Sequence, residues 1–257
     1  MPQNLFDDPE FFAGYQKLRS NPYSYNALIE SPALRALVGD PRGLRALDLG
    51  CGAGELCRWL AERGALSVHG VDISRRMLAL ARADAQAAIR YEEAAIEDLA
   101  LPKAAYDLVA SSLAFHYVED YSGLLARIHD WLAPGGRLVF STEHPVLTCA
   151  DAAWCLDERG EPRHWPVDRY AEEGPRRVEW IVPEVLKYHR RLETLVGGLL
   201  AAGFGLEALQ EPLPVRALTE LAAARRRPPF LLLAARRLGP AGEAAAGEGR
   251  ATPGHRR

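Results

Sequence analysis

Residues 46–55 read Ala46-Leu47-Asp48-Leu49-Gly50-Cys51-Gly52-Ala53-Gly54-Glu55, and further on the chain reaches Val71-Asp72-Ile73-Ser74. An apolar run closing on glycines, a helical pattern, and a second apolar run closing on an acid make a strand–turn–helix–strand unit. Glycines at alternate positions let backbone N–H groups at a helix start meet the polar end of a nucleoside, and an acid ending the second strand takes ribose hydroxyls. Asp72 follows Gly50 by 22 residues, where the second strand of such a unit ends. The turn and the acid together therefore predict a nucleoside site, which a lone G-x-G would not.

Outward from this unit the rhythm continues. Apolar runs at 44–49, 66–71, 89–92, 106–111 and 137–141 read as strands. Helical patterns at 55–63, 77–86 and 121–132 separate most of them, the second opening on Ser74 as N-cap. A helix over 188–202 and strands over 205–209 and 230–235 complete the series. Such alternation predicts an α/β fold, a parallel sheet covered by helices on both faces. Its ligand belongs beyond the carboxyl ends of the strands, at the switch point. Residues 1–40 carry Phe6, Phe11, Phe12 and Tyr15 at helical spacing, punctuated by Pro9, Pro22 and Pro32. They read as an N-terminal helical lid over a domain at 41–238. Residues 143–187 break the rhythm with polar residues, Trp154, Trp165 and Trp180, and a hairpin signal at Asp157-Glu158-Arg159-Gly160. Such an insertion is expected on the substrate side. Residues 239–257 read as a disordered tail.

Composition narrows the class. The chain has 257 residues, 48% hydrophobic and 25% charged, with a net charge of −3, so no global field favours nucleic acid or an anionic membrane. No stretch approaches the ~20 apolar residues of a membrane span, and the N-terminus lacks the basic and apolar regions of a signal peptide. Cys51, Cys57, Cys149 and Cys155 form no C-x-x-C pair and no zinc spacing with the histidines, so no metal site is expected. Free thiols fit a reducing cytoplasm. The expected partner is a small-molecule substrate, with no nucleic acid and no membrane, for a cytoplasmic monomer or homodimer.

With these motifs the chain resembles class I S-adenosylmethionine-dependent methyltransferases over residues 40 to 235. The likeness rests on Leu47–Gly54, on Gly70-Val71-Asp72-Ile73-Ser74, on Tyr106-Asp107-Leu108-Val109-Ala110-Ser111-Ser112-Leu113 and on Leu132-Ala133-Pro134-Gly135-Gly136. It implies a Rossmann-like seven-stranded, mostly parallel sheet with the last strand antiparallel and the insertion after strand five. It also implies S-adenosyl-L-methionine as cofactor and methyl transfer to an O or N atom of a small molecule. A narrower likeness is to bacterial methyltransferases carrying Phe12-Ala13-Gly14-Tyr15, Leu18-Arg19, Glu143-His144-Pro145 and Lys187-Tyr188-His189-Arg190. Arg- and Ala-rich usage fits a GC-rich bacterial source and a place in secondary metabolism. By resemblance, Asp48, Gly50, Cys51, Gly52 and Gly54 shape the pocket for the methionine part, Asp72 binds the ribose, and Ile73 flanks the adenine with Met77 nearby. Where the family often has an Asp after its third strand this chain has Ala95, leaving Ile96 with Glu97 or Asp98 at the adenine. Ser111 would face the cofactor's amino group through its carbonyl.

The cofactor supplies the electrophile, so the protein must align a nucleophile and help remove any proton it carries. Histidine suits that task. The candidates are His116 after the fourth strand, His144 after the fifth, and His189 at the end of the insertion; the alternatives are a structural hydrogen bond, a proline turn and a surface helix start. His69 reads as packed and His129 as solvated. Tyr15 and Arg19 share a helical face, so Arg19 can fork to the cofactor carboxylate or stand solvated beside a core tyrosine. The three insertion tryptophans can floor a pocket for a planar substrate or form a mini-core. Asn21-Pro22-Tyr23 reads as a turn and Arg225-Arg226-Arg227 as a solvated loop before an edge strand. The rival readings are a nucleic-acid or protein methyltransferase, a nicotinamide oxidoreductase and a non-catalytic nucleoside-binding module.

Overall fold

In the computed structural model the glycine turn lies at the middle of a seven-stranded sheet; the structure describes residues 3–84, 86–150, 153–215 and 221–239. The strands of the sheet are β1 (Arg45–Leu49), β2 (Ser67–Asp72), β3 (Ile89–Glu93), β4 (Tyr106–Ser112), β5 (Leu132–Glu143), β10 (Phe204–Gln210) and β11 (Phe230–Arg237). The remaining strands form two hairpins, β6 (Cys155–Leu156) with β7 (Pro162–His164), and β8 (Gly174–Trp180) with β9 (Val182–His189). The helices are α1 (Pro9–Arg19), α2 (Ser31–Val38), α3 (Glu55–Glu62), α4 (Arg75–Ala83), α5 (Tyr121–Trp131), α6 (Pro145–Thr148), α7 (Leu192–Ala201) and α8 (Ala222–Arg226).

The strand order is β10-β11-β5-β4-β1-β2-β3. Strands β1 to β5 pair in parallel, while β11 runs antiparallel to both β5 and β10. This is the sheet expected, with its last strand reversed. Chain order turns back at β1, which has β2 on one side and β4 on the other, so the crevice opens there.

Side chains alternate across each strand, and both faces are dry. Leu47, Val109, Phe140, Leu231 and Leu233 pack with Leu124 and Ile128 of α5 and Leu195 and Leu199 of α7. Ala46, Leu108, Val139 and Leu232 pack on the other face with Leu34 and Val38 of α2, Leu56 and Leu60 of α3 and Leu78 of α4. Burial on both faces is why these strands read as unbroken apolar runs. Ser74 caps α4 as expected, its hydroxyl accepting from the Met77 N–H at 3.1 Å.

Three expectations are corrected. Residues 188 and 189 belong to β9, and α7 starts only at Leu192. Val185, Lys187 and His189 are buried at alternate positions, the period of a strand. β5 begins at Leu132 rather than at 137, and β11 is an interior strand because β10 covers its outer side. The hairpin signal at 157–160 does join β6 to β7. The tail expected as disordered falls, apart from Gly239, outside the described residues. Among the described residues no helix is long and apolar enough to cross a membrane.

Candidate active site

The carboxyl ends of β1, β2 and β4 open into a cavity of about 750 Å³, within the ~300–1,000 Å³ of small-molecule sites. Its floor is the glycine turn. Gly50 has φ 73°, and a Cβ there would lie 2.5 Å from the Ala114 Cβ, so only glycine lets the end of β1 pass beneath the loop after β4. The Gly50 and Cys51 N–H groups donate to the Val71 carbonyl at 2.8 and 2.9 Å. The Gly52 N–H donates to Asp72 Oδ2, and the Ser74 N–H to Asp72 Oδ1, both at 2.8 Å. Asp72 is therefore fixed on the wall by two amides, and burial raises its carboxyl above the usual range. Ile73 and Met77 continue the same wall.

Asp48 is 1% exposed. Its Oδ2 accepts from the Cys57 thiol at 3.1 Å, whereas Oδ1 is buried with no partner. Burial pushes this carboxyl up to about 7. In the turn after β3, Ala95, Ile96 and Glu97 line the cavity, and Asp98 is exposed outside it. Ser111 is corrected: it is fully buried, donates to the Leu49 carbonyl at 2.8 Å and is not on the wall, which Ser112 and Leu113 form instead. An unpartnered buried acceptor, an acid held by two amides and a floor without Cβ atoms fit an adenosyl amino acid with a cationic amine. Asp48 would meet the amine, and Asp72 the ribose.

Aromatic side chains close the cavity. Phe6 packs edge-on against Phe11, Tyr15 and Tyr117, and Trp180 of β8 edge-on against Phe11 and Tyr15. Hydrogen bonds fasten the segment before α1. Asp7 accepts from Ser74 Oγ at 2.7 Å and the Arg76 N–H at 2.9 Å, Asn4 donates to the Ile73 carbonyl at 3.3 Å, and Gln3 accepts from the Leu186 N–H at 2.9 Å. Tyr15 and Arg19 both reach the wall, but the Arg19 guanidinium is paired with Glu55.

The three candidate histidines separate. His116 lies on the wall, its ring 4.3 Å from that of Tyr117, and burial lowers it to about 4, with Lys187 and Arg190 adding to the shift and Glu143 opposing it. His144 is corrected. It caps α6, with Nδ1 accepting from the Val146 N–H at 3.1 Å and Nε2 held by Glu211 at 2.7 Å, and it is not on the wall. His189 is corrected likewise: fully buried, it is held by Thr148 Oγ1 at 2.8 Å and the Tyr170 carbonyl at 3.0 Å. His69 is packed as expected, 2.7 Å from the Tyr106 hydroxyl. His129 is half-buried against Phe204 rather than solvated.

Sequence reasoning missed four charged residues. Glu143 and Lys187 form a buried ion pair at 2.7 Å on the wall, with the ammonium 4.7 Å from the Trp180 ring. Burial would raise Glu143, yet the surrounding positive charge, Lys187 included, holds it below its ordinary value. Both residues stand in the same motifs as the candidate histidines, Glu143 beside His144 and Lys187 two residues before His189. Glu30 is fully buried and accepts from Ser112 Oγ at 2.8 Å and Ser141 Oγ at 2.5 Å. Arg227 lies over Trp165 at 4.1 Å, on the wall. Of the arginine cluster, Arg225 and Arg226 are exposed at the end of α8, and Arg227 alone turns to the cavity; Asn21-Pro22-Tyr23 is a turn closed by the Tyr23 N–H on Asn21 Oδ1.

Residues 47–140 match the methyltransferase domain family. An uncharacterised protein of Haemophilus influenzae is 36% identical over 91% of this chain and 97% of its own length. The crystal structure of an S-adenosylmethionine-dependent methyltransferase from Mesorhizobium loti is similar, with 44% identity, 84% of this chain and 99% of that one covered, and a TM-score of 0.77. A trans-aconitate 2-methyltransferase of Mycobacterium tuberculosis is 35% identical over 60% of this chain, which spans about half that relative (55%).

Proposed function

The chain belongs to the class I S-adenosylmethionine-dependent methyltransferases, and from that premise we propose that it transfers the methyl group to an O or N atom of a small molecule held between the glycine turn and the insertion. The observation that carries this reading is one cavity running from Gly50 and Asp72 to Trp165 and Trp180, roofed by Phe6 and Tyr15. The likeness to a relative that acts on trans-aconitate supports a small acceptor. In this reading residues 1–40 are the lid and 143–187 the substrate side.

S-adenosyl-L-methionine, when bound, supplies the electrophilic methyl. The protein's own part is positional and protolytic. Asp72 takes the ribose hydroxyls, Asp48 the amine, and Ile96 with Glu97 the adenine edge. His116 is neutral above pH ~4 and accepts the proton that the nucleophile loses. The ionised Glu143 favours the imidazolium that forms.

Calorimetric titration with S-adenosylmethionine, S-adenosylhomocysteine and NADH in parallel tests the cofactor site. One-to-one binding of the two adenosyl ligands alone is expected. Methyl transfer from labelled cofactor to a panel of small hydroxyl, amine and carboxylate compounds then tests the acceptor, and transfer only to protein or nucleic acid would overturn the reading.

A further inference from the structure

Arg226 and Arg227 are sequence neighbours with opposite fates. Arg226 lies 4.8 Å from the Trp154 ring and donates to the carbonyls of Pro162 and Arg163, both at 2.6 Å. Its donors are spent tying α8 to the β6–β7 hairpin. Arg227 lies over Trp165 at 4.1 Å, on the cavity wall, and among the described residues its guanidinium makes no hydrogen bond and no ion pair. Its Nε is buried without a partner. The acid whose charge acts on it, Glu143, already holds Lys187 at 2.7 Å.

A guanidinium carries five donors in a rigid fork; here Nε is buried and unpaired, which is costly, and the half-buried side chain leaves the remaining donors free for a ligand in the cavity. The surroundings hold the fork in place. Trp165 is anchored by its indole N–H on the Val146 carbonyl at 3.1 Å and by an edge contact with Trp154, the rings 5.6 Å apart. The Arg227 N–H closes α8 on the Ala223 carbonyl at 3.0 Å. Two stacked Arg–Trp pairs thus stand side by side, one satisfied by backbone and the other presented to the cavity.

We propose that Arg227, backed by Trp165, is the receptor for a carboxylate on the methyl acceptor, so that the substrate is an organic acid. This rests on the methyltransferase reading above. The planar fork matches a carboxylate through two parallel bonds, and the indole gives the guanidinium a rigid support. The other cations on this wall are engaged elsewhere: Lys187 and Arg19 are paired with Glu143 and Glu55, Arg176 donates to the Cys149, Pro175 and Glu172 carbonyls, and Arg35 lies over the Trp59 ring at 5.8 Å. Arg227 is therefore a specificity-determining residue; the transferred methyl and its proton chemistry stay with His116.

The test uses full-length protein saturated with S-adenosylhomocysteine and the probes malonate, benzoate and trans-aconitate, each against its amide, with inorganic phosphate as a further arm. Calorimetric affinity and thermal shift are read in wild type, Arg227→Met and Arg227→Lys. At least one acid should bind wild type and its amide should not. Arg227→Met should lose roughly ten- to hundredfold in affinity for that acid, Arg227→Lys should keep part of it, and both should bind S-adenosylhomocysteine as wild type does. That last readout also shows that the variants are folded. Equal binding of acid and amide, binding of phosphate alone, no binding of any acid, or full affinity in Arg227→Met would each overturn the proposal. Failure of wild type to bind S-adenosylhomocysteine would instead overturn the methyltransferase reading beneath it.

Discussion

Cofactor affinity should depend on pH through one carboxyl, that of Asp48. It is buried with Oδ1 unpartnered and titrates at about 7, against 3.8 ordinarily. If the cofactor's ammonium binds the ionised form, the apparent dissociation constant is raised by the reciprocal of the ionised fraction. A group titrating at about 7 makes that factor roughly 11 at pH 6 and near 1 at pH 8, a tenfold tightening. Calorimetry at pH 7, in buffers of different ionisation enthalpy, should show release of about half a proton per cofactor bound. The free protein carries the linked cost. A folded-state value raised above the unfolded one gives stability that is full below pH 3.8 and lost as pH rises through 7, up to about 4 kcal/mol. Asp48→Asn keeps an acceptor for the Cys57 thiol and cannot titrate. It should show a flat affinity profile, weaker than wild type at pH 8, and its melting temperature relative to wild type should rise between pH 5 and pH 8 by the equivalent of roughly 2–3 kcal/mol. Constant wild-type affinity from pH 6 to 8, or the same slope in Asp48→Asn, would refute the reasoning.

Asp72→Ala leaves the Gly52 and Ser74 N–H groups without their acceptor as well as the ribose unpaired. The first loss lowers stability in the free and bound protein alike; at ~1–3 kcal/mol for each of the two ribose hydroxyls left unpaired, affinity for S-adenosylhomocysteine should fall roughly thirtyfold or more by calorimetry. His116→Gln should lower kcat by a hundredfold or more while leaving that affinity unchanged. Because burial holds His116 at about 4 in the folded state against 6.5 unfolded, up to about 3 kcal/mol of stability is present above pH 6.5 and lost as pH falls to 4. The Gln variant should lose that part of the acid lability in urea titrations at pH 7 and pH 5. Lys187→Met strands the Glu143 carboxylate and should cost roughly 3–5 kcal/mol at pH 8, with most of it restored in the Glu143→Gln/Lys187→Met double variant.

Much of the fold was legible because it is written locally. The glycine turn, the acid 22 residues on and the two-faced apolar strands each carry their own signal, and they place Asp48, Gly50, Gly52 and Asp72 together. The substrate half is written in contacts distant along the chain. Glu30 meets Ser141 across 111 residues of sequence, and nothing local says that a glutamate before α2 is buried. The β8–β9 hairpin was hidden by reading residues 188 and 189 as a helix start. With β9 recognised, its period of two puts Val185, Lys187 and His189 inward together. Histidine chemistry named three candidates, yet His144 and His189 are each fastened by two hydrogen bonds away from the cavity. Composition could not say that Arg227 has an indole beneath it.

The strand of residues before α1 ties together what the sheet keeps apart. Gln3 bonds to Leu186 on β9, while Asn4 and Asp7 bond to Ile73, Ser74 and Arg76 at the cofactor end. In the proposed lid reading, one short segment bridges the cofactor and substrate sides, so departure of the demethylated cofactor and entry of the next acceptor would be coupled. Weakening this bridge at its cofactor end, as Asp7→Ala would, should shorten the residence of the spent cofactor and raise the Michaelis constants of both ligands in parallel.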